Sequence, residues 1–291
     1  MSSQTSVLFD VAGPRTRARH RIYTVISLVV ILGLAALLVL RMAARGQFAY
    51  DLWEPFLTPE YIQALLVDGL LQTLKMAFFS VILAVVFGTI FGVGKLSDHA
   101  SVRWVCWSVV EFFRAVPVLM LMIFFFVAYG AGPGGLDSFW CVVIALTLYN
   151  GSVLAEVFRA GILAVPRGQS EAAYAIGLRK TQVMTQILLP QAVKIMLPAI
   201  ISQCVVALKD TSLGYAIVAP GLTFVGKSIY GEFQNQLQTV IVIAAMYVSV
   251  NLVLTWIATW VQRKFVGEKK ILEVSAVAEA DVGPGLAPGA R

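Results

Sequence analysis

The chain is poor in the residues that most catalytic and metal sites need. Among its 291 residues are only two histidines and three cysteines, and charged residues make up 13% of the total. The cysteines Cys106, Cys141 and Cys204 are far apart, lie in apolar runs and lack metal-ligand spacing. No set of serine, histidine and aspartate converges as a triad would. The sequence therefore predicts no metal site and argues against an enzyme embedded in the membrane.

Two further motifs are missing. The chain has no G-x-x-x-x-G-K-[S/T] loop, so it cannot bind ATP in the manner of a P-loop protein, and we expect no cofactor in this chain. It also lacks a segment suited to a selectivity filter, because the glycine-proline turn at 131–135 is too short for one. An ion channel is accordingly disfavoured.

Apolar residues dominate instead. They make up 59% of the chain, and the mean hydropathy is +0.82, whereas soluble domains are about 45–50% apolar. A helix needs around 20 apolar residues to span a bilayer. Six segments approach that length, which predicts an all-α membrane protein with spans at about 22–41, 69–94, 104–129, 139–164, 193–217 and 237–262.

The distribution of basic residues predicts how these spans are oriented. With residues 1–21 in the cytoplasm, fifteen of the 22 lysines and arginines fall in cytoplasmic segments and only three fall on the other side. This is the bias typical of cytoplasmic loops, and it explains the net charge of +6 without nucleic acid as a partner. Both termini are expected in the cytoplasm, residues 42–68 as an extracytoplasmic interfacial loop, and 265–291 as a disordered cytoplasmic tail.

The cytoplasmic segment at 166–192 is polar and rich in small residues, and lies between two apolar runs. Ser170 is a suitable N-cap, and Gly177 can end a helix of about two turns by adopting the left-handed conformation. Thr181 is expected to cap a second short helix that Pro190 interrupts, and Pro198 to kink the following span.

Several motifs in the chain resemble those of bacterial ABC-transporter permeases. Glu171-Ala172-Ala173, followed by Gly177 and by Leu189-Pro190, resembles the EAA loop of that family. The sequence around these residues, from about 66 to 264, is similar to the polar amino-acid uptake branch. Its most specific signatures are Arg114-Ala115-Val116-Pro117, Pro166-Arg167-Gly168-Gln169 and Lys209-Asp210-Thr211-Ser212-Leu213.

The resemblance implies a type I ABC importer permease fold, with a five-helix core in 69–264 and one added N-terminal helix at 22–41. It also implies partners: ABC ATPase subunits that bind ATP and magnesium, a second permease subunit that is a paralogue, and an extracytoplasmic solute-binding protein. The start of the chain looks most like actinobacterial glutamate permeases of the D type, which makes L-glutamate the leading substrate; glutamine, aspartate and a basic amino acid remain open. The residues implied to couple to the ATPase are Glu171, Ala172, Ala173, Gly177, Leu189 and Pro190.

Charged residues within the spans are candidates for the substrate pathway, because charge is costly in the bilayer. Glu111 and Arg114 are three residues apart, as are Glu156 and Arg159, so each pair is expected to neutralise itself on one helix face. Lys209 and Asp210 are adjacent and cannot pair well, so each needs another partner, a substrate or a purely structural contact. The predicted substrate pathway consists of Arg114, Glu156, Lys209, Asp210, Thr211 and Ser212.

Overall fold

The computed structural model describes residues 14–266, and all regular structure in this part of the chain is helical. Short 3-10 or π-type turns continue several helices without a break. Counting each continuous helix once, the elements are α1 Pro14–Ala44, α2 Tyr50–Trp53 with the 3-10 turn Glu54–Leu57, α3 Pro59–Gly94, α4 Ala100–Ala115, α5 Val118–Gly130, α6 Ser138–Leu163, α7 Arg167–Ala175, α8 Lys180–Ile217, α9 Leu222–Phe233 and α10 Gln236–Val266.

Five of these helices, α1, α3, α6, α8 and α10, are long and apolar enough to cross a membrane. The sixth predicted span, at 104–129, is not a straight helix: it is the pair α4 and α5, bent by 97°. Pro117 explains the bend, because it lacks a backbone N–H and excludes the helical conformation at the residue before it. Val116 is accordingly extended, with φ −84° and ψ 126°. Residues 14–266 contain six spans only if this bent pair is one of them.

Two helices begin before the predicted spans. Helix α3 begins at Pro59, ten positions before the predicted start, so the second half of the expected interfacial loop is helical and continuous with the span. Helix α1 begins at Pro14, so the basic residues up to Arg21 lie in the same helix as the first span. The predicted tail lies outside the described residues from position 267 on.

The described residues form two compact units. The first comprises the chain up to Ile62 together with Ile229–Val242, and the second comprises Gln63–Ser228 and the residues from Ile243 on. In the second unit α6 is the central helix, with thirteen buried residues along its length.

Helices α3 and α6 approach closely through glycines. A Cβ atom on Gly88 would lie 2.8 Å from the Leu154 Cβ, and one on Gly92 would lie 2.7 Å from the Ala155 carbonyl oxygen. Small residues allow membrane helices to pack backbone to backbone, which maximises van der Waals contact where lipid removes the hydrophobic driving force. This contact therefore fixes the centre of the second unit.

The first unit is held by buried amides. The fully buried Gln238 donates from Nε2 to the Gln47 carbonyl at 2.6 Å, and Asn235 donates from Nδ2 to the Leu52 carbonyl at 2.9 Å. The Trp53 Nε1 also donates to the Gln47 carbonyl, at 3.2 Å. These bonds satisfy the irregular backbone between α1 and α2, which would otherwise expose unpaired polar groups to an apolar environment.

Candidate coupling loop and charged groups

Helix α7 carries the motif from which the family resemblance was drawn. It begins at Arg167, directly after the extended Pro166, so the prediction that Ser170 caps it is wrong. Ser170 lies within the first turn and donates its hydroxyl to the Arg167 carbonyl at 2.8 Å. Proline before the first helical residue fixes the entry of the chain into the helix, and the cap lies four residues earlier than the side-chain signal indicated.

The predicted end of α7 is confirmed. Gly177 has φ +85°, its N–H donates to the Tyr174 carbonyl at 2.9 Å, and the Leu178 N–H donates to the Ala173 carbonyl at 3.1 Å. This pair of bonds is the Schellman arrangement, in which a left-handed residue reverses the chain after the last turn. The reversal lets α7 stand as a short separate helix between α6 and α8.

The residues of the EAA motif divide between two faces of α7. Ala173 is buried against the rest of the unit, whereas Glu171 and Ala172 are exposed. Tyr174 is also exposed, and Ile176 is 78% exposed. Two large apolar side chains are therefore exposed on this short helix beside Glu171, and exposed apolar side chains that lie together are suited to docking a protein partner.

Helix α8 begins at Lys180 and runs without interruption to Ile217. Its start is supported by the Arg179 N–H, which donates to the Gln182 Oε1 at 2.9 Å. The predictions that Thr181 caps this helix and that Pro190 interrupts it are wrong. A π-type segment at Val183–Leu188 precedes Pro190, and such wider turns shift the hydrogen-bond register so that the missing proline N–H is accommodated.

Helix α8 also continues through Pro198. Of the two remaining residues predicted for coupling, Leu189 is partly buried and Pro190 is exposed. Their coupling role stays a prediction.

An ion pair joins the start of α8 to the connection between α3 and α4. The Lys180 ammonium contacts the Asp98 carboxylate, although both side chains are largely exposed. The hydrogen bond from Lys180, with its positive charge, lowers the pKa of Asp98 below its usual value. This contact restrains the segment that follows α7.

Five charged residues form a second network, here called the charged cluster: Lys95, Glu111, Arg114, Glu156 and Arg159. The two predicted pairs are confirmed, with Arg114 Nη1 3.3 Å from Glu111 Oε1 and Arg159 Nε 3.0 Å from Glu156 Oε2. Lys95 joins them: its ammonium lies 3.5 Å from Glu111 Oε1 and contacts Glu156 Oε1. The cluster thus connects α4 and α6 through the residue that follows α3.

Sequence reasoning missed Lys95, because it was assigned to a loop. Its position directly after the last residue of a span was the available signal, since a lysine there can lay its stem along the helix and return its charge to a partner. Only 5% of its side chain is exposed. All members of the cluster except Arg114 line a cavity of ≈600 Å³, to which Arg103, Trp104 and Trp107 also contribute.

The Lys209-Asp210 sequence lies at the end of the regular part of α8, where a 3-10 turn at Thr211–Ile217 begins. Hydroxyl groups surround this turn. Thr211 donates to the Leu208 carbonyl at 2.6 Å and Thr223 to the Ser212 carbonyl at 3.1 Å. A 3-10 stretch in a long helix often marks a functional hinge.

A partly buried tyrosine with a buried hydroxyl faces the same region. The Tyr247 hydroxyl lies near the hydroxyls of Thr73, Thr211 and Thr223, without a well-formed hydrogen bond to any residue in the described part of the chain. Thr73 itself accepts the Leu222 N–H at 2.9 Å. An unsatisfied hydroxyl in such a setting is costly and is a natural partner for a polar ligand or water.

The six predicted pathway residues do not come together. Gln203 donates to Asn150 at 2.5 Å, which places these residues at the same level of the antiparallel helices α8 and α6. At a rise of 1.5 Å per residue, Asp210 lies about 10 Å beyond that level on one side and Glu156 about 9 Å on the other. Arg114 is with Glu156 in the charged cluster. One amino acid cannot touch both groups in this conformation.

Comparison with known proteins agrees with this architecture. The family model described as "Binding-protein-dependent transport system inner membrane component" matches residues 84–267. The chain is 43% identical over 226 residues to the glutamate transport system permease protein GluD of Corynebacterium glutamicum, covering 77% of this chain and 83% of that protein. It is 28% identical over 207 residues to the glutamate/aspartate import permease protein GltK of Escherichia coli, covering 68% and 92%.

Among solved structures, the crystal structure of an amino acid ABC transporter with histidines aligns with a TM-score of 0.65 and 29% identity, covering 72% of this chain and 98% of that chain. The predicted permease fold of ABC importers is confirmed by this match. The several apolar helices make the protein a multi-pass membrane protein. With more than half of its length matched by the family model, the chain belongs to the family of binding-protein-dependent transport system inner membrane components.

Proposed function

We propose that this chain is the permease subunit of an ATP-driven importer of polar amino acids and that its substrate is L-glutamate. The observation that supports this substrate is the 43% identity to a glutamate permease over 77% of the chain. The similarity to a glutamate/aspartate permease supports the same class of substrate. A basic amino acid is the second candidate, favoured by the match to a transporter structure described with histidines.

The proposed motor is a separate ATPase, which binds ATP and magnesium and docks on α7. The exposed Glu171, Ala172, Tyr174 and Ile176 supply the docking surface. Because α7 is joined to α6 at Pro166 and to α8 at Gly177, a displacement of α7 would be passed to both spans. This is rigid-body switching of packed helices, which suits alternating access.

The proposed orientation places α7, the charged cluster and both termini in or near the cytoplasm. The excess of lysine and arginine in those segments supports it. A solute-binding protein would then deliver substrate at the opposite face, and a second permease, expected to be a paralogue, would complete the path between the two subunits.

For substrate contact we favour the end of α8. Asp210 can pair with the ammonium group of an amino acid and Lys209 with a carboxylate, while the Thr211 and Ser212 hydroxyls can bond to either. Arg114 and Glu156 would line the cytoplasmic half of the path as members of the charged cluster.

Uptake of radiolabelled glutamate in a strain lacking this permease tests the proposal, with the wild-type gene restored and with glutamine, aspartate and arginine as competitors. We expect uptake to return and unlabelled aspartate or glutamate to compete best. Restored uptake that arginine abolishes and glutamate does not would transfer the assignment to a basic amino acid. Purification of a native complex without an ATPase would refute the importer itself.

A further inference from the structure

A pocket in the first unit contains two arginines to which the transport cycle gives no role. Arg41 and Arg45 lie near the end of α1 and line a cavity of ≈620 Å³ together with Gln47, Gln234 and Gln236. The polar lining consists of two guanidinium groups and three amides, with no carboxylate. Such a set of donors is suited to an anion.

The wall of this pocket is held rigidly. Gln238, which is fully buried, donates from Nε2 to both the carbonyl oxygen of Gln47, at 2.6 Å, and its side-chain Oε1, at 3.1 Å. The Gln47 side chain therefore has its oxygen engaged and its amide N–H groups left over. A buried residue thus orients a donor at the edge of the pocket before any ligand arrives.

The two arginines have no counter-charge of their own. Within residues 14–266, neither one forms an ion pair with an acidic side chain. They are four residues apart on α1, so they share one helix face. Two unpaired guanidinium groups on one face attract an external anion, and their flat forked geometry fits the oxygens of a phosphate.

The depth of the pocket indicates where that anion comes from. The uncharged run 22–40 of α1 has 19 residues and a length of about 28 Å, which is close to the thickness of the hydrocarbon core. Arg41 therefore lies at the level of the lipid headgroups. Leu38 and Met42 add an apolar wall to the same pocket, and the adjoining α1 is exposed along its length.

We propose that this pocket binds the headgroup phosphate of an anionic phospholipid. Arg41 and Arg45 bond to the phosphate oxygens, the Gln47 amide donates to the headgroup, and an acyl chain lies along Leu38 and Met42. Basic pockets beside membrane helices recognise anionic headgroups in this way. The proposal does not depend on which amino acid is transported.

The test is lipid retention by the purified native assembly that contains this chain, measured by native mass spectrometry as phosphatidylglycerol is titrated in. We expect Arg41→Gln/Arg45→Gln to weaken retention at least about tenfold, because it removes charge-assisted hydrogen bonds to the phosphate. The control Arg19→Gln/Arg21→Gln removes the same charge from the other end of α1 and should leave retention unchanged. Gln47→Glu keeps both arginines but adds a repelling carboxylate, and should also lose the lipid.

Three outcomes would overturn the proposal. Equal losses in the two arginine pairs would mean diffuse attraction without a site. Binding of inorganic phosphate to the delipidated assembly, with no lipid retained, would make the pocket a site for soluble anions. Unchanged lipid retention, with weaker binding of the solute-binding protein to Arg41→Gln/Arg45→Gln, would assign the arginines to a protein partner.

Discussion

The Lys95 ammonium contacts the Glu156 carboxylate across 61 positions of sequence and joins the end of α3 to α6. Glu111 shares the same ammonium from α4, at 3.5 Å. One nearly buried cation thus lies between two carboxylates on different helices. Each carboxylate also has an arginine of its own, Arg114 or Arg159, so removal of Lys95 breaks the connection between the helices without leaving a carboxylate unpaired.

We therefore expect Lys95→Met to destabilise the protein by about 1.5–3 kcal/mol, the contribution of a hydrogen bond to a charged group. The measurement is the thermal unfolding midpoint in detergent. Arg114→Gln is the matched control: its side chain is 41% exposed, and exposed pairs contribute about 1 kcal/mol or less.

A double variant separates charge from packing. Lys95→Met/Glu156→Gln removes both partners of the contact, so the loss of midpoint should be smaller than the sum of the two single losses, with a coupling of about 1–3 kcal/mol. Additive effects of the two substitutions would show that Lys95 acts through its aliphatic stem and not through its charge.

The pair between Asp98 and Lys180 predicts a dependence on pH. The pKa of Asp98 is lower in the folded protein than in the unfolded chain. The ion pair therefore makes its full contribution to the free energy of unfolding above the unfolded pKa of about 3.9, and this contribution is lost as pH falls through the folded pKa. The difference in unfolding midpoint between wild type and Asp98→Asn should be constant near neutral pH and shrink below pH ~4.

Asp51→Asn is the control for this comparison, because Asp51 forms no ion pair within the described residues. The difference in unfolding midpoint between Asp51→Asn and wild type should not shrink with falling pH as it does for Asp98→Asn. If the midpoint difference for Asp98→Asn were the same at low and neutral pH, the ion pair would contribute nothing to stability.

The spans and the pairs within one helix could be predicted because their causes are local. Length and apolar content locate α6 and α10 to within a few residues, and a spacing of three predicts the contact of Glu156 with Arg159. Gly177 was predictable for the same reason, since only glycine adopts a left-handed φ without cost.

The remaining features depend on packing between distant segments. Nothing near Lys95 in the sequence indicates that its partners come from α4 and α6. Two prolines with the same local signal also behave differently: Pro117 bends the chain by 97°, whereas α8 passes through Pro190 by way of a π-type segment. Packing against neighbouring helices determines whether a proline bends the chain or is accommodated within the helix. This packing cannot be predicted from the residues next to the proline.

The close approach of α3 and α6 predicts a strong effect of bulk at Gly92. A side chain there meets the Ala155 backbone at 2.7 Å, so the helices must separate. Gly92→Leu should lower stability by at least about 1–3 kcal/mol, the cost of overpacking, and reduce the yield of monodisperse protein. Gly33→Leu on α1 is the control, since a Cβ there has no neighbour within 4 Å; a normal yield for Gly92→Leu would contradict the observed packing.

The proposed substrate site makes a kinetic prediction. Asp210→Asn keeps the shape of the side chain but removes the charge that would pair with an amino-acid ammonium group. A hydrogen bond to a charged group contributes about 1.5–3 kcal/mol, so the KM for uptake should rise by about tenfold or more. Lys227→Met, an exposed lysine on α9, is the control; an unchanged KM for Asp210→Asn would remove Asp210 from the substrate site.

The left-handed turn after α7 predicts that Gly177 is needed for coupling. Any residue with a Cβ is strained at φ +85°, at a cost of about 1–2 kcal/mol, so Gly177→Ala should reorient α7 or loosen its last turn. We expect substrate-stimulated ATP hydrolysis by the reconstituted complex to fall while substrate affinity is kept.

Gly168→Ala is the matched control, because Gly168 lies inside α7 with φ outside the left-handed region and open space around its Cβ position. Gly177→Asn tolerates the left-handed conformation better than alanine and should restore part of the activity. Equal activity of Gly177→Ala and Gly168→Ala would mean that the position of α7 is set elsewhere, by the contact of Ala173 with the rest of the unit.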